Sequence, residues 1–277
     1  MRTSPRVKAL QYLALLGYLA FLLVPVAWLL STAFKTPEEI TSSGLNWIPI
    51  QPTFENFVTG FTEVPLVRSL LNSILISSVS AVLTIVISVP AAYVMARHRG
   101  LLSNVAMGWV IVSQLFPFIL VLIPLFLLVI QLGLYNTHIG LIAVYVVWSL
   151  PFAMWMLRSY VSSIPVELEH AAAIDGAGQF RILKDVIAPL LLPGCVAAGM
   201  FAFVSSWNEF FFALVMLNDS ELDTISLMIV RFVGADGAVR MGPLAAVAIL
   251  ATIPSLVFFG FMQRHLVSGL MGGSMKG

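Results

Sequence analysis

The chain is poor in the residue types that build disulfides, metal centres and polyanion-binding surfaces. A single cysteine, Cys195, excludes an internal disulfide. The four histidines, at positions 98, 138, 170 and 265, stand singly, and none has a second candidate ligand four residues away, so no metal site is predicted. Charged residues make up 10% of the 277 residues and the formal net charge is +1, which indicates no nucleic-acid partner.

Motifs for nucleotide chemistry and for separate domains are also missing. The chain has no G-x-x-x-x-G-K-[ST] phosphate loop, so it cannot supply ATP chemistry itself. It has no internal repeat, sustained heptad or low-complexity tract. A membrane enzyme would need a nucleophile, an acid–base pair or a metal cluster, and the scattered histidines and Cys195 supply none of these. This predicts one domain over residues 1–277 that is not an enzyme.

Apolar residues, by contrast, dominate the composition. They make up 60% of the chain, and the mean hydropathy is +1.00, both well above the values of soluble domains. Because a membrane-spanning helix needs about 20 apolar residues, the sequence predicts an all-α membrane protein with six spans. The predicted spans are about 10–31, 69–95, 104–130, 139–157, 190–217 and 243–263.

The first apolar run begins after three basic residues and therefore resembles a signal peptide. Its apolar core of about 22 residues is longer than the usual 7–15 of a signal peptide, and more apolar runs follow. It is therefore expected to remain as an uncleaved first span.

Basic residues set the orientation of the six spans. With both termini on the cytoplasmic side, ten of the fourteen basic residues lie in inner segments, whereas the outer segments hold four basic residues and eight acids. The positive-inside rule favours this topology. The inner ten are Arg2, Arg6, Lys8, Arg97, Arg99, Arg158, Arg181, Lys184, Arg264 and Lys276.

Prolines within the spans indicate a bundle that opens and closes around a path. Each one removes a backbone donor and bends or breaks a helix, although membrane helices also tolerate proline where neighbours satisfy the backbone. A secondary transporter or channel would show ionisable residues in mid-span, and Glu209, near one end of its span, is the only one found. The five prolines are Pro90, Pro117, Pro124, Pro151 and Pro254.

The inner loop, residues 158–189, is predicted to be a helix-turn-helix. Ser162 or Ser163 can cap a first helix whose early turn contains Pro165. Asp175-Gly176 is a turn pair. The apolar face of the second helix is predicted to hold Phe180, Leu183, Val186 and Ile187.

Four alanines give this loop a low profile onto which another protein can close: Ala171, Ala172, Ala173 and Ala177. The alternative is an interfacial helix that lies on lipid. Such helices usually carry Lys and Arg on one face and large apolar residues on the other. The first predicted helix carries acids and alanines instead, which favours a protein partner.

The loop also contains a specific set of residues at fixed spacing: Ser163, Pro165, Glu167, Leu168, Glu169, Ala171, Ala172, Asp175, Gly176, Ala177, Pro189 and Pro193. This set resembles the EAA loop of binding-protein-dependent ABC importer permeases, whose pattern is EAA, two residues, DGA and an apolar helix that ends in spaced prolines. The chain departs from the pattern at His170, which stands where the family has the glutamate of EAA, and at Leu183, where the family commonly has Phe.

Features outside the loop resemble the carbohydrate-uptake branch of that family, the MalG-like permeases. These features are residues 34–39 (FKTPEE), Asn72-Ser73, residues 207–210 (WNEF) and the tail from Gly269 to Gly277. The resemblance therefore covers nearly the whole chain. It does not identify the solute, which is expected to be a sugar or a related compound such as a glycerol phosphodiester.

The resemblance implies a complex in the cytoplasmic membrane of a bacterium or archaeon. The expected partners are a heterologous, MalF-like second permease, two copies of a cytoplasmic ATPase and an extracytoplasmic substrate-binding protein. This chain would bind no cofactor, since ATP and Mg²⁺ would sit on the ATPase. The tail residues Lys276 and Gly277 are expected to contact the ATPase. The expected coupling residues are Glu167, Glu169, His170, Ala171, Ala172, Asp175, Gly176 and Ala177.

Trp207, Asn208 and Glu209 are the candidates for sugar contact or for an outer gate. An indole offers an apolar face for a sugar ring, and an amide or carboxylate can hydrogen-bond hydroxyl groups. The alternative is structural. Because a continuous helix from Leu190 would place Glu209 close to the outer interface, the tryptophan would then belong to the aromatic belt and the carboxylate would reach water.

Overall fold

The computed structural model describes residues 5–42, 44, 46–98, 100–233 and 239–273. In this part the chain is helical and has no strand, although one isolated antiparallel bridge joins Val233 to Val239. The all-α prediction is therefore confirmed. The α-helices are α1 (Pro5–Ala33), α2 (Pro37–Thr41), α3 (Glu55–Thr62), α4 (Leu66–Arg97), α5 (Leu101–Ser113), α6 (Phe118–Gln131), α7 (His138–Ser163), α8 (Glu167–Ile174), α9 (Gln179–Arg181), α10 (Ala188–Leu190), α11 (Leu192–Asn208), α12 (Phe211–Met216), α13 (Ile225–Ile229) and α14 (Met241–Gly273).

Three short helices of other types complete the described secondary structure. A π-helix, Ile182–Ile187, joins α9 to α10, and 3₁₀ helices occupy Ser220–Leu222 and Val230–Phe232. The tail residues Lys276 and Gly277, predicted to contact an ATPase, lie outside the described residues.

Four of the described helices are long and apolar enough to cross a membrane alone: α1, α4, α7 and α14. The third and fifth predicted spans are not continuous helices, and that expectation was wrong. α5 and α6 meet at a bend of 104°, and Pro117, which has no N–H to donate, lies at this break. The fifth apolar segment is divided between α11 and α12, with Glu209 and Phe210 between them.

The chain divides into two compact units. The first comprises Met1–Val67 and Met228–Ile253. Its core includes Ala33 at the end of α1, packed in one cluster with Ala245 and Ala246 of α14. The buried Asn56 side chain of α3 donates to the carbonyl oxygens of Ala33, at 3.0 Å, and Lys35, at 2.8 Å. These bonds hold α3 against the end of α1.

The second unit comprises Arg68–Leu227 and Pro254–Gly277, and it contains nearly all of α4. One face of α4 is a buried stripe of small side chains, which allow helices to approach closely. Farther along this face, Ala92 packs with Ala153 of α7 and Ala198 of α11. The small residues of the stripe are Ser69, Ser73, Ser77, Ser80, Thr84, Ser88 and Ala92.

Helices α7 and α11 pack closely together at Gly194. A Cβ atom added to this glycine would lie 2.8–2.9 Å from ring atoms of Tyr160, nearer than side-chain packing allows. Gly199, one turn farther along α11, has room for a methyl group, since its nearest neighbour, Ile85, would be 3.7 Å from the added carbon.

This difference predicts opposite effects of two matched substitutions. Both Gly194→Ala and Gly199→Ala gain about 1 kcal/mol of helix propensity, but only Gly194→Ala forces α7 and α11 apart, an overpacking cost of about 1–3 kcal/mol. The thermal midpoint of the detergent-solubilised protein should fall for Gly194→Ala and stay level or rise for Gly199→Ala. Equal midpoints for the two variants would contradict this packing.

Candidate functional site

The inner loop begins where α7 ends. Helix α7 continues to Ser163, and the chain then passes through Ile164 and Pro165 before α8 starts. Because Ser162 and Ser163 lie in the last turn of α7, their hydroxyls donate to the carbonyl oxygens of Arg158 and Tyr160, at 2.9 and 2.7 Å. The predicted cap of the first loop helix was therefore wrong: α8 starts without a side-chain cap.

The turn after α8 has the geometry that its sequence predicts. Gly176 has a φ of +81°, which side chains with a Cβ rarely adopt. The Gly176 amide donates to the carbonyl of Ala173, and the Ala177 amide donates to the carbonyl of Ala172, at 3.0 and 2.9 Å. This pair of bonds is a Schellman motif, and Asp175 occupies its exposed C-cap position. The turn prediction for Asp175-Gly176 is confirmed.

The loop alanines do not share one face. Ala172 and Ala177 pack inward against a cluster formed by Val161, Ile164, Ile182, Ile187 and Leu191. Ala171 and Ala173 are exposed. The structure thus separates alanines that hold the loop together from alanines that are available to a partner.

We call the exposed outer face of the loop the outer stripe, made of Glu167, His170, Ala171, Ile174 and Phe180. Two of its members are large and apolar, and they leave 87% (Ile174) and 79% (Phe180) of their surface exposed. An apolar surface of this kind beside polar residues is typical of protein interaction sites. Chemically, the outer stripe offers apolar contact flanked by a carboxylate and an imidazole.

Phe180 was predicted on the buried face of the second loop helix, and this prediction was wrong. The segment after α9 is the π-helix Ile182–Ile187, in which bonded residues are five apart instead of four. Ile182 and Ile187 therefore share the inner face and are buried, whereas Phe180 points outward. A period of 3.6 residues cannot reveal this shift.

Glu169 lies on the inner side of α8 and leaves only 8% of its surface exposed. Its Oε1 atom is 2.5 Å from Nε of Arg97, and its Oε2 accepts a hydrogen bond from the Tyr93 hydroxyl at 2.7 Å. The Arg97 guanidinium also donates to the carbonyl oxygen of Ile164 at 2.9 Å. Sequence reasoning missed Tyr93 and Arg97, since they precede Glu169 by 76 and 72 residues.

Glu209 lies at the break between α11 and α12, where its carboxylate accepts hydrogen bonds from backbone amides at the start of α12. Oε1 accepts from the Phe212 amide at 2.9 Å, and Oε2 accepts from the Ala213 amide at 3.2 Å and from the Tyr145 hydroxyl at 2.9 Å. In addition, the Ser226 hydroxyl donates to the Glu209 carbonyl at 2.6 Å. Both carboxylate oxygens are therefore engaged within the chain.

Trp207 and Asn208, the other two predicted sugar contacts, differ in exposure. Trp207 is buried and stacks on Phe203 with 5.8 Å between ring centroids. Asn208 is exposed, and its amide donates to the Val204 carbonyl one turn back. The structure leaves Asn208 as the member of the three with a side chain open to a solute.

A cavity of about 410 Å³ lies at the bend between α5 and α6. Its lining is mostly apolar, with Trp109 and Trp148 on its walls and Ser113 and Gln114 as its polar side chains. The Gln114 side chain is exposed and makes no hydrogen bond to the residues that the structure describes, while its backbone amide donates to the carbonyl of Ile111 at 3.1 Å. The sequence signal for this feature was a glutamine three residues before Pro117 within an apolar run.

The Glu209 geometry predicts a structural defect when its carboxylate is removed. Glu209→Ala leaves two amides of α12 and the buried Tyr145 hydroxyl without their acceptor, which is expected to destabilise the fold by about 1–3 kcal/mol. Asn208→Ala, the neighbouring control, removes only an exposed bond within α11. The thermal midpoint in detergent should fall for Glu209→Ala alone. A normal midpoint with defective solute uptake would instead favour a direct solute contact.

The comparisons with known proteins agree on one family. Residues 85–271 match the family described as "Binding-protein-dependent transport system inner membrane component". The chain is 36% identical over 270 residues to the sulfoquinovosyl glycerol transport system permease protein SmoH of Agrobacterium fabrum, covering 98% of this chain and 94% of that protein. It is 33% identical over 257 residues to the trehalose/maltose transport system permease protein MalG of Thermococcus litoralis, covering 92% of each.

The fold has a close counterpart among solved structures. A chain in the crystal structure of a bacterial ABC transporter that imports the acidic polysaccharide alginate superimposes with a TM-score of 0.80, covering 95% of this chain and 99% of that one, at 22% identity. The resemblance seen in the inner loop is thereby confirmed. Because the family match extends over more than half of the chain and curated relatives match nearly its full length, the chain belongs to the family of binding-protein-dependent transport system inner membrane components, the permease subunits of ABC importers.

Proposed function

We propose that this chain is the permease subunit of an ATP-driven importer that moves a sugar or sugar-like solute inward by alternating access. The expected partners are a second, MalF-like permease, two cytoplasmic ATPase subunits that hold ATP and Mg²⁺, and an extracytoplasmic binding protein. The solute class is supported by relatives named for transport of sulfoquinovosyl glycerol and of trehalose and maltose. All the named solutes carry a sugar unit.

Six spans with cytoplasmic termini remain the topology that we propose. Four unbroken helices can supply four crossings, and two bent helix pairs can supply two more: α5 with α6, and the helical segment Gln179–Leu190 with α11, which meet at 76°. The excess of basic residues in the inner segments supports the orientation. In this arrangement the loop containing α8 and α9 lies on the cytoplasmic side, and α2 and α3 lie outside.

The outer stripe is the observation that carries the coupling role. A loop that only connected two spans would not need to present Ile174 and Phe180 to the surroundings. Lipid is a weaker explanation, since α8 is eight residues long and Glu167 and His170 stand beside those apolar side chains. We therefore assign the outer stripe to docking in a cleft of the ATPase, with His170 in place of the family's glutamate.

The role of the tail and the nature of the solute path belong to the same proposal. Lys276 and Gly277 would contact the ATPase dimer, since α14 ends at Gly273 and, in the proposed topology, on the cytoplasmic side. Asn208, beside the break between α11 and α12, would face the path or an outer gate.

Docking through the outer stripe predicts that a large side chain at Ala171 blocks seating of the ATPase. Ala171→Trp overpacks a close contact, whereas the matched control Ala171→Ser should seat normally. His170→Glu should also be tolerated, because the cleft accepts the family's usual residue. The readouts are co-purification of the ATPase and ATP hydrolysis stimulated by the binding protein with solute. If Ala171→Trp co-purifies and transports normally, the stripe does not dock and lies on lipid.

The turn after α8 offers a second pair of matched substitutions, at Gly176 and Gly178. Gly176→Ala places a Cβ at a φ of +81° and should misdirect α8 relative to α9, whereas Gly178, with a φ of −72° and open space around it, should accept alanine. We expect solute uptake in reconstituted complexes to fall for Gly176→Ala only. Equal uptake by both variants would mean that the turn geometry does not matter for coupling.

The topology predicts which single cysteines a membrane-impermeant maleimide reaches in intact cells. In a Cys195→Ser background, Ile48→Cys should be labelled from outside and Phe180→Cys should not, although both side chains are at least 79% exposed. Ile48→Cys should also crosslink to the binding protein or to the companion permease. Labelling of Phe180→Cys alone would mean that the orientation is reversed. If Ile48→Cys captures neither partner, that result would count against a docking role for residues 36–67, the predicted first outer loop.

A further inference from the structure

We infer that Arg97 and Tyr93 tether the coupling helix α8 to the cytoplasmic end of α4, so that movement of α8 driven by the ATPase is passed to this span. The inference rests on the proposed function, because it assumes that α8 docks on an ATPase. It assigns positioning roles to two residues of α4 and gives Glu169 a role inside the permease instead of at the ATPase surface.

The tether is a set of three polar contacts between segments that are distant in sequence. Glu169 accepts from Arg97 and from Tyr93, and Arg97 also holds the carbonyl of Ile164 just before α8. The two charged side chains leave only 12% and 10% of their surface exposed. Both oxygens of the Glu169 carboxylate are therefore engaged by α4 and are turned away from the outer stripe.

Apolar packing alone already holds the loop against the spans. Val161, Ile164, Ile182, Ile187 and Leu191 form a buried cluster under α8. A buried ion pair is generally no better for stability than apolar residues of similar size, because both charges lose their hydration. Apolar surfaces can slide past one another, whereas charge-assisted hydrogen bonds are short and directional. The pair therefore defines the position of α8 relative to α4 beyond what the apolar cluster achieves.

The tether joins α8 to a helix that the chain does not connect to it directly. The chain itself links α8 to α7 through three residues, and links it through the turn and the π-helix to α11. No such chain connection joins α8 to α4. Contacts at the end of α4 are reinforced by α7, since the Arg158 guanidinium donates to the Met95 carbonyl at 3.3 Å. Arg97 and Tyr93 thus add a third attachment point to the coupling helix.

Movement of this end of α4 also reaches the cavity at the α5–α6 bend. Only three residues separate α4 from α5. The Ser103 hydroxyl of α5 donates to the Met95 carbonyl of α4 at 2.8 Å, and Met95 packs with Met107 and Val110 of α5. Val110 lines the cavity with Gln114 and Trp148. The tether therefore connects the outer stripe to this cavity through contacts within one compact unit.

The test measures solute molecules imported per ATP hydrolysed in reconstituted complexes. Glu169→Gln and Arg97→Gln should still co-purify with the ATPase and hydrolyse ATP, while the uptake per ATP falls roughly tenfold, within the range of typical coupling free energies. The charge-swapped double variant Arg97→Glu with Glu169→Arg should recover part of this ratio. A purely structural role would lower assembly and ATP hydrolysis together and leave the ratio unchanged, which would overturn the inference.

Two further variants keep the result interpretable. Asp185→Asn is the matched control, because Asp185 pairs with Arg181 at 3.4 Å in the same loop with both side chains more than half exposed, and it should leave the ratio unchanged. If the charge variants fail to reach the membrane, Tyr93→Phe removes one hydroxyl only and decides the question: a lower ratio supports the tether, and a normal ratio contradicts it.

The same assay separates this inference from the proposed function. Ala171→Trp should lose the ATPase, whereas Glu169→Gln should keep it and lose coupling. If Ala171→Trp loses the ATPase and Glu169→Gln keeps a normal ratio, the docking role stands and the tether is wrong. If Ala171→Trp also assembles and transports normally, the proposed function fails first.

Discussion

The rest of this structure depends on one constraint: backbone N–H and C=O groups in an apolar environment each need a hydrogen-bond partner. Because lipid offers no hydrogen-bond partners, a helix can be interrupted at membrane depth only where another group satisfies the freed amides and carbonyls. The break between α11 and α12 meets this requirement with Glu209, whose carboxylate accepts from two amides and from the buried Tyr145 hydroxyl. The interruption is thereby a stable feature of this apolar segment.

A break of this kind is useful in a transport protein. It divides one apolar segment into two shorter helices, so that the chain can change direction at a defined point. The bend between α5 and α6 shares this property, and a cavity lined by Gln114 lies beside it. Both interruptions lie in segments that pack against α7, since Phe118 of α6 and Phe212 of α12 contact Trp148.

The loop that contains α8 and α9 divides its residues between two faces. The inner face holds the loop to the spans through Ala172, Ala177 and the Glu169 carboxylate. The outer stripe leaves Ile174 and Phe180 exposed. The loop thus packs against its own unit on one side and leaves an exposed apolar surface on the other, as the proposed role of a mechanical joint requires.

Much of this could be predicted from the sequence where the signal is local. Long apolar runs indicated the spans, and Asp175-Gly176 indicated the turn, because only a residue without a Cβ readily adopts a φ of +81°. The predicted apolar face of the second loop helix was right for Ile187 and wrong for Phe180, since a π-helix has a longer period than an α-helix. Glu209 was ambiguous for a different reason: a carboxylate that caps a helix and one that binds a sugar look the same in sequence.

Contacts between distant segments carried no sequence signal at all. Nothing near Glu169 indicates that its partners are Arg97 and Tyr93, because the pairing depends on how α4 packs beside the loop. Likewise, the alternation between inward Ala172 and outward Ala171 follows from which side of α8 meets the apolar cluster. Residue type alone does not distinguish these two alanines.

The central claim is that the outer stripe of α8 meets the ATPase, and photocrosslinking from that stripe tests it most directly. A benzophenone amino acid placed at Ile174 in the assembled complex should capture the ATPase, and the yield should change when ATP closes the ATPase dimer. The same probe at Ile253, an exposed position within α14 at membrane depth, should not capture it. If the probe at Ile174 captures lipid alone and never the ATPase, the account of the loop as a mechanical joint is contradicted.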